Sequence, residues 1–155
     1  MHLRPATPDE ATELSELALR SKAVWGYDDA FLEACRAELT LDAARLDELR
    51  IVVAEADGEV VGFYSLIGVP PDGELGHLFV EPEWIGRGLG RALWTHMSTT
   101  AAALSFARVR IESDPGASSF YESMGARRVG RVPSGSVEGR WLPLLEYDVP
   151  RDPRS

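Results

Sequence analysis

The sequence predicts a mixed α/β domain built on a largely antiparallel sheet. Three observations carry this expectation. Two strand-like runs, 51–56 and 59–69, flank Asp57-Gly58, the strongest short hairpin signal in the chain. A further strand, 74–80, leads through a short acidic connector into Gly86, Gly88 and Gly90, which open an apolar-periodic helix. The elements then run β, α, α, three antiparallel strands, α, β, α, β, β, which is too antiparallel for a doubly wound fold.

Each element has a local reason. Residues 2–5 read as a short first strand. Thr7-Pro8-Asp9-Glu10 supplies an N-cap, Pro at the first helical position and acids in the first turn. Leu14, Leu17 and Ala18 form the apolar stripe of that helix. Asp28 or Asp29 caps a second helix carrying Phe31, Leu32, Cys35 and Leu39. Residues 41–49 fit a short helix or a loop. Pro70-Pro71-Asp72-Gly73 reads as a turn between the strands 59–69 and 74–80. Leu89, Leu93, Met97 and Ala101 recur at helical spacing. A strand follows at 108–113, then a short helix at 118–124 stopped by Gly125. Strands at 126–132 and 142–149 close the order.

Composition narrows the function. The 155 residues fit one domain, and 45% hydrophobic residues suffice for a sizeable core. A net charge of −9 argues against a nucleic-acid partner, because phosphate binding needs a basic face. It fits a cationic partner such as an amine. The one cysteine, Cys35, excludes an intramolecular disulfide and is expected to pack as a small apolar residue. No stretch is long and apolar enough to span a bilayer, and the N-terminus lacks a signal-peptide pattern. No membrane association and a cytoplasmic location are therefore expected. No His, Cys, Asp or Glu spacing suggests a metal site. Residues 1–149 are expected to form the domain, and 150–155 a disordered tail.

Gly86, Arg87, Gly88, Leu89, Gly90 and Arg91 are the most informative residues. Alternate glycines let backbone N–H groups approach an anion closely. The helix dipole and two arginines add positive potential there, against the acidic trend of the chain. A diphosphate suits such a place. A P-loop is excluded, since no Gly-Lys-Ser/Thr follows. A dinucleotide fingerprint is excluded too: its third glycine would fall on Arg91 or Leu93, and residues 81–85 intervene after the strand.

Gly88 and Gly90 match the glycines of Gln/Arg-x-x-Gly-x-Gly/Ala, the acyl-CoA loop of the GNAT superfamily N-acetyltransferases. Ala117, Tyr121 and Gly125 match a second pattern of that family, Asn-x-x-Ala-x-x-x-Tyr followed by a helix-ending glycine. The chain resembles this family over roughly residues 1–149, with the motifs in order and the right elements between them. Two positions depart from it. Ile85 stands where the family has Gln or Arg, and Asp114 stands where it has Asn.

The resemblance implies acetyl-CoA as co-substrate and direct transfer to a small-molecule amine or an exposed amino group. It places the diphosphate on Gly86 to Arg91. The pantetheine arm would lie along Leu78, Phe79 and Val80, near Asp114, Ala117 and Tyr121. Tyr121 would protonate the departing thiolate, and the Leu78 N–H would face the oxyanion. Glu74 aligns with a frequent family base, while His77 titrates nearer neutrality. A regular strand would put these two on opposite faces, and a bulge would not. Trp25 and Tyr27 would wall the acceptor site or simply pack in the turn between the first two helices. A homodimer is common in the family. The rival readings are a non-catalytic acyl-CoA-binding or regulatory domain, favoured by Ile85 and Asp114, and a structural dimer module.

Overall fold

The computed structural model describes residues 1–135 and 137–151. The elements are β1 (His2–Pro5), α1 (Ala11–Ala23), α2 (Asp29–Leu39), α3 (Leu46–Leu49), β2 (Val52–Ala56), β3 (Glu59–Val69) and β4 (Asp72–Val80). They continue with α4 (Leu89–Ala103), β5 (Arg108–Glu112), α5 (Ser118–Ser123), β6 (Arg127–Pro133) and β7 (Trp141–Asp148). The seven strands form one sheet in the order β1-β2-β3-β4-β5-β7-β6. Among the described residues only the central β4–β5 pair is parallel. The mixed α/β architecture is the one expected.

Local chemistry accounts for the element boundaries. Thr7 precedes a 3₁₀ turn at Pro8–Glu10, and the Glu10 carboxylate accepts from the Thr7 N–H at 2.9 Å. The second helix is capped by Asp28, whose side chain accepts from the Phe31 N–H at 2.8 Å. The ambiguous stretch 41–49 is a 3₁₀ turn followed by α3, with Leu41, Leu46 and Leu49 buried. The turn placed at 70–73 is shorter than expected. Val69 pairs with Asp72 and Gly68 with Gly73, so only Pro70 and Pro71 lie outside the strands. Residues 150 and 151 carry no regular structure, and 152–155 of the expected tail lie outside the described residues.

Helices cover both faces of the sheet. Leu14, Leu17 and Ala18 of α1 are fully buried with Cys35, Leu39, Val53 and Phe63 on one face. Burial is worth about 1.5–3 kcal/mol for each such leucine. Leu89, Leu93, Met97 and Ala101 of α4 bury on the other face, against Tyr64, Leu66, Val109 and Leu145.

Two irregularities of β4 shape the centre of the sheet. Its pairing with β5 covers only Asp72, Gly73 and Glu74, and beyond them the strands part. Against β3, the register slips at Gly76: Ser65 faces His77, Leu66 faces Leu75 and Ile67 faces Glu74. Gly76 is the extra residue of this bulge. A Cβ there would collide with the side chains of Ile67 and Ser65. The slip puts Glu74 and His77 on the same sheet face.

Candidate active site

Where β4 and β5 part, two cavities open. One, of about 460 Å³, runs from Leu78 and Val80 over Trp84 and Ile85 to Gly86, Gly88, Gly90 and Arg91. The other, of about 180 Å³, lies in the strand gap itself. It is walled by His77 and Phe79 of β4, Glu112 to Asp114 at the end of β5, Lys22, Glu38 and Arg140. Ser21, Trp25, Leu78, Ala117 and Tyr121 line both cavities, so they mark the junction.

The larger cavity ends on backbone. Gly86 and Gly88 have φ of 80° and 84°, a conformation that side chains rarely adopt, and no atom lies near where their Cβ would be. The first bond of α4 from this loop is the Ala92 N–H to the Gly88 carbonyl at 3.1 Å. The N–H groups just before it therefore belong to the free first turn, which suits an anion. Arg91 lines this cavity. Arg87 does not: its guanidinium lies over the Trp84 ring at 4.0 Å, and its N–H donates to the Trp84 carbonyl. Leu89 points into the core at 1% exposure. Ile85 is exposed and presents an apolar side chain at the rim.

The smaller cavity is walled by charge. Asp114 accepts from the Gly116 N–H at 2.9 Å and from the Tyr27 hydroxyl at 2.8 Å. Lys22 and Arg140 approach the same carboxylate at 3.5 and 3.4 Å. Burial pushes the Asp114 carboxyl up. These four partners outweigh it and hold the carboxyl below its ordinary value. Burial, then Asp114, pushes the Tyr27 phenol up to about 12. Arg140 also donates to the Tyr27 hydroxyl at 2.6 Å and lies over the Phe31 ring at 4.7 Å. Sequence reasoning missed Lys22 and Arg140. They are far from any motif, and only the fold brings them to Asp114.

His77 lines the smaller cavity, with Nδ1 2.7 Å from the Ser65 hydroxyl. Burial pushes its pKa down to about 4, so it is neutral at pH 7. Glu74 shares its sheet face but lines neither cavity. It stands at a separate depression with Asp72, Arg108, Arg110 and Glu146. Burial, then nearby Glu112, raises its carboxyl. Among the described residues no group of three His, Cys, Asp or Glu could hold a metal ion.

Tyr121 stands at the junction, 7% exposed, with its ring against Trp94 and Phe120. Among the described residues no group bonds its hydroxyl. Burial, then Asp114, raises its pKa, so the phenol keeps its proton. Trp25 also belongs here, packed so closely on Gly116 that a Cβ there would lie 2.8 Å from the indole.

The predicted site residues therefore separate. Leu78, Val80, Gly86, Gly88, Gly90, Arg91, Ala117 and Tyr121 come together around the larger cavity. Phe79 and Asp114, expected beside them, face the smaller cavity. The reason for Phe79 is strand alternation: its ring packs 5.9 Å from Phe63, on the α1 face. The reason for Asp114 is its ion-paired cluster. Trp25 reaches both cavities, while Tyr27 stands behind Asp114 and lines neither.

Residues 10–143 match the family model described as the acetyltransferase (GNAT) domain. The chain is 32% identical over 152 residues to the peptidyl-lysine N-acetyltransferase YjaB of Salmonella typhimurium, covering 97% of this chain and 99% of that protein. It is 30% identical over 145 residues to an aminoglycoside N(6′)-acetyltransferase type 1 of Stenotrophomonas maltophilia, covering 84% of this chain and 88% of that protein. Its fold matches the PaiA N-acetyltransferase of Thermoplasma acidophilum, solved with coenzyme A. There the TM-score is 0.78 at 18% identity, over 95% of this chain and 98% of that one. The chain belongs to the GNAT acetyltransferase family and is an N-acetyltransferase.

Proposed function

We propose that this enzyme transfers an acetyl group from acetyl-CoA directly to a primary amine held in the smaller cavity. One observation carries the reading: Tyr121, whose hydroxyl has no partner among the described residues, lines both cavities. The diphosphate sits on the free turn from Gly86 to Arg91. The pantetheine arm follows Leu78 and Val80, where β4 has lost β5 as a partner. The thioester then reaches the junction. The amine nitrogen attacks the thioester carbon and a tetrahedral oxyanion forms, which the Leu78 N–H faces. The carbon–sulfur bond breaks, and the thiolate takes the Tyr121 proton.

The amine must lose a proton on the way. Of the two candidate bases, His77 lines the cavity and Glu74 does not, so His77 is assigned the role. Its burial keeps it neutral and able to accept, though it is a weak base. Desolvation of the amine supplies part of the effect. The named relatives are enzymes, which supports turnover rather than a binding-only module. The test is thiol release from acetyl-CoA across a panel of amines. Release that requires an amine is the expected result. Tight acetyl-CoA binding with no release from any amine would contradict it.

A further inference from the structure

Two cations of the smaller cavity converge on one carboxylate. Lys22 and Arg140 share the single Asp114 carboxylate, which the Tyr27 hydroxyl and the Gly116 N–H also engage. The two cationic side chains are only 15% and 17% exposed. Their donors are also underused. Among the described residues the Lys22 ammonium has one hydrogen-bond acceptor, at 3.5 Å, for three N–H groups, and it lies over the Tyr27 and Phe31 rings at 5.8 and 5.9 Å. Both Arg140 hydrogen bonds leave from Nη2, so Nε and Nη1 donate to nothing described. No buried side-chain nitrogen among the described residues lacks a partner, so these open donors are accessible to solvent and to a ligand. A guanidinium donates along the edges of its plane, so an open Nε or Nη1 of Arg140 can hold a carboxylate oxygen together with the Lys22 ammonium.

The rest of the wall is acidic. Glu38 and Glu112 line the same cavity, and Glu112 is exposed beside Arg110 at 3.9 Å. A ligand here thus meets cations on one part of the wall and carboxylates on another. The volume, about 180 Å³, is below the roughly 300–1,000 Å³ of pockets for drug-sized ligands. It suits a small molecule with both charges.

We infer that the acceptor is a small zwitterion, an amine carrying its own carboxylate, and that Arg140 with Lys22 binds that carboxylate. The inference rests on the N-acetyltransfer reading above. It places Arg140 and Lys22 as specificity residues: they hold the end of the acceptor that does not react. The amine end then faces Tyr121 and His77. Asp114, in the family's Asn position, anchors these cations instead of serving the cofactor arm. The larger cavity reaches neither cation, so acetyl-CoA does not compete for them.

The experiment compares matched pairs, each common L-amino acid against its carboxamide, by thiol release at saturating acetyl-CoA. The pH is set high enough that both amines are largely neutral. The acids should be preferred in kcat/KM by at least about tenfold, mostly through KM. Arg140→Met should bring that preference to near unity with acetyl-CoA affinity unchanged. Lys22→Met should move it in the same direction by less. Equal turnover of acids and amides by the wild-type enzyme overturns the inference and leaves the transferase reading standing. So does an Arg140→Met variant that slows both members of a pair alike, which marks packing. No thiol release from any of these pairs, with release from other amines, overturns the inference alone; no release from any amine sinks both readings.

Discussion

The two cavities that meet at Tyr121 are built in opposite ways. The larger is lined mainly by a contiguous run of chain, from Leu78 to Arg91, completed by Ser21, Trp25, Ala117, Phe120 and Tyr121, and offers backbone N–H groups, apolar side chains and one lining arginine. The smaller is assembled from α1, α2, β4, the end of β5 and the approach to β7, and its recognition groups are charged side chains. The proposed assignment of cofactor and acceptor accounts for the difference. An invariant, flexible, anionic cofactor can be gripped by local backbone geometry. An acceptor is recognised by groups that only the tertiary fold brings together.

Breaking the junction should have the largest effect. Tyr121→Phe removes one oxygen and should lower kcat by about 10²-fold, the low end for general acid catalysis. Folding and CoA affinity should stay near wild type. The loss should shrink with an acyl donor whose thiol is more acidic. Wild-type turnover of the variant would make Tyr121 a core aromatic only.

Next comes the grip on the cofactor. Gly88→Glu forces a side chain into a φ of 84° and adds a carboxylate where the diphosphate would lie. CoA affinity by calorimetry should fall tenfold or more, about 1.4 kcal/mol. Unchanged affinity would detach this loop from the cofactor.

On the acceptor side, His77→Gln should lower kcat/KM by roughly tenfold, while Glu74→Gln stays near wild type. The reverse pattern would move the base to Glu74. His77 also ties the cavity to stability. Its pKa of about 4 lies below the ordinary 6.5, so the unfolded chain binds the proton more readily. Stability should therefore fall as pH drops from 6.5 towards 4, by at most about 3 kcal/mol from this group. Denaturant titrations across that range should show a shallower fall in His77→Gln.

The smallest effect sharpens the cofactor side. Arg91→Ala should weaken CoA by about threefold at low salt and less at high salt. Arg87→Ala should matter less, because its guanidinium is stacked on Trp84. Equal effects at every salt concentration would mean packing, not Coulomb attraction.

What could be read from the sequence follows the same division. The order of elements was legible because periodicity, caps and turn residues are local, as Asp28 and Asp57-Gly58 show. The glycine loop was legible for the same reason. The turn after β3 was overestimated, because Asp72 and Gly73 carry turn chemistry yet pair across the sheet. The faces of β4 were undetermined, since alternation fails wherever a bulge intervenes. Gly76 inside a strand was the available signal, and steric closeness to Ile67 and Ser65 is its cause. Lys22 and Arg140 gave no signal at all. Each looks like an ordinary surface cation until the fold sets both beside Asp114, 92 and 26 residues away.

The central claim is that acetyl-CoA and the acceptor occupy separate cavities that meet at Tyr121. A crystal structure with CoA bound tests it most directly. The account predicts the diphosphate on the turn from Gly86 to Arg91 and the sulfur within hydrogen-bonding distance of the Tyr121 hydroxyl. The smaller cavity should remain free of cofactor. A CoA molecule that fills the space around Lys22 and Arg140, or whose sulfur lies away from Tyr121, would contradict it.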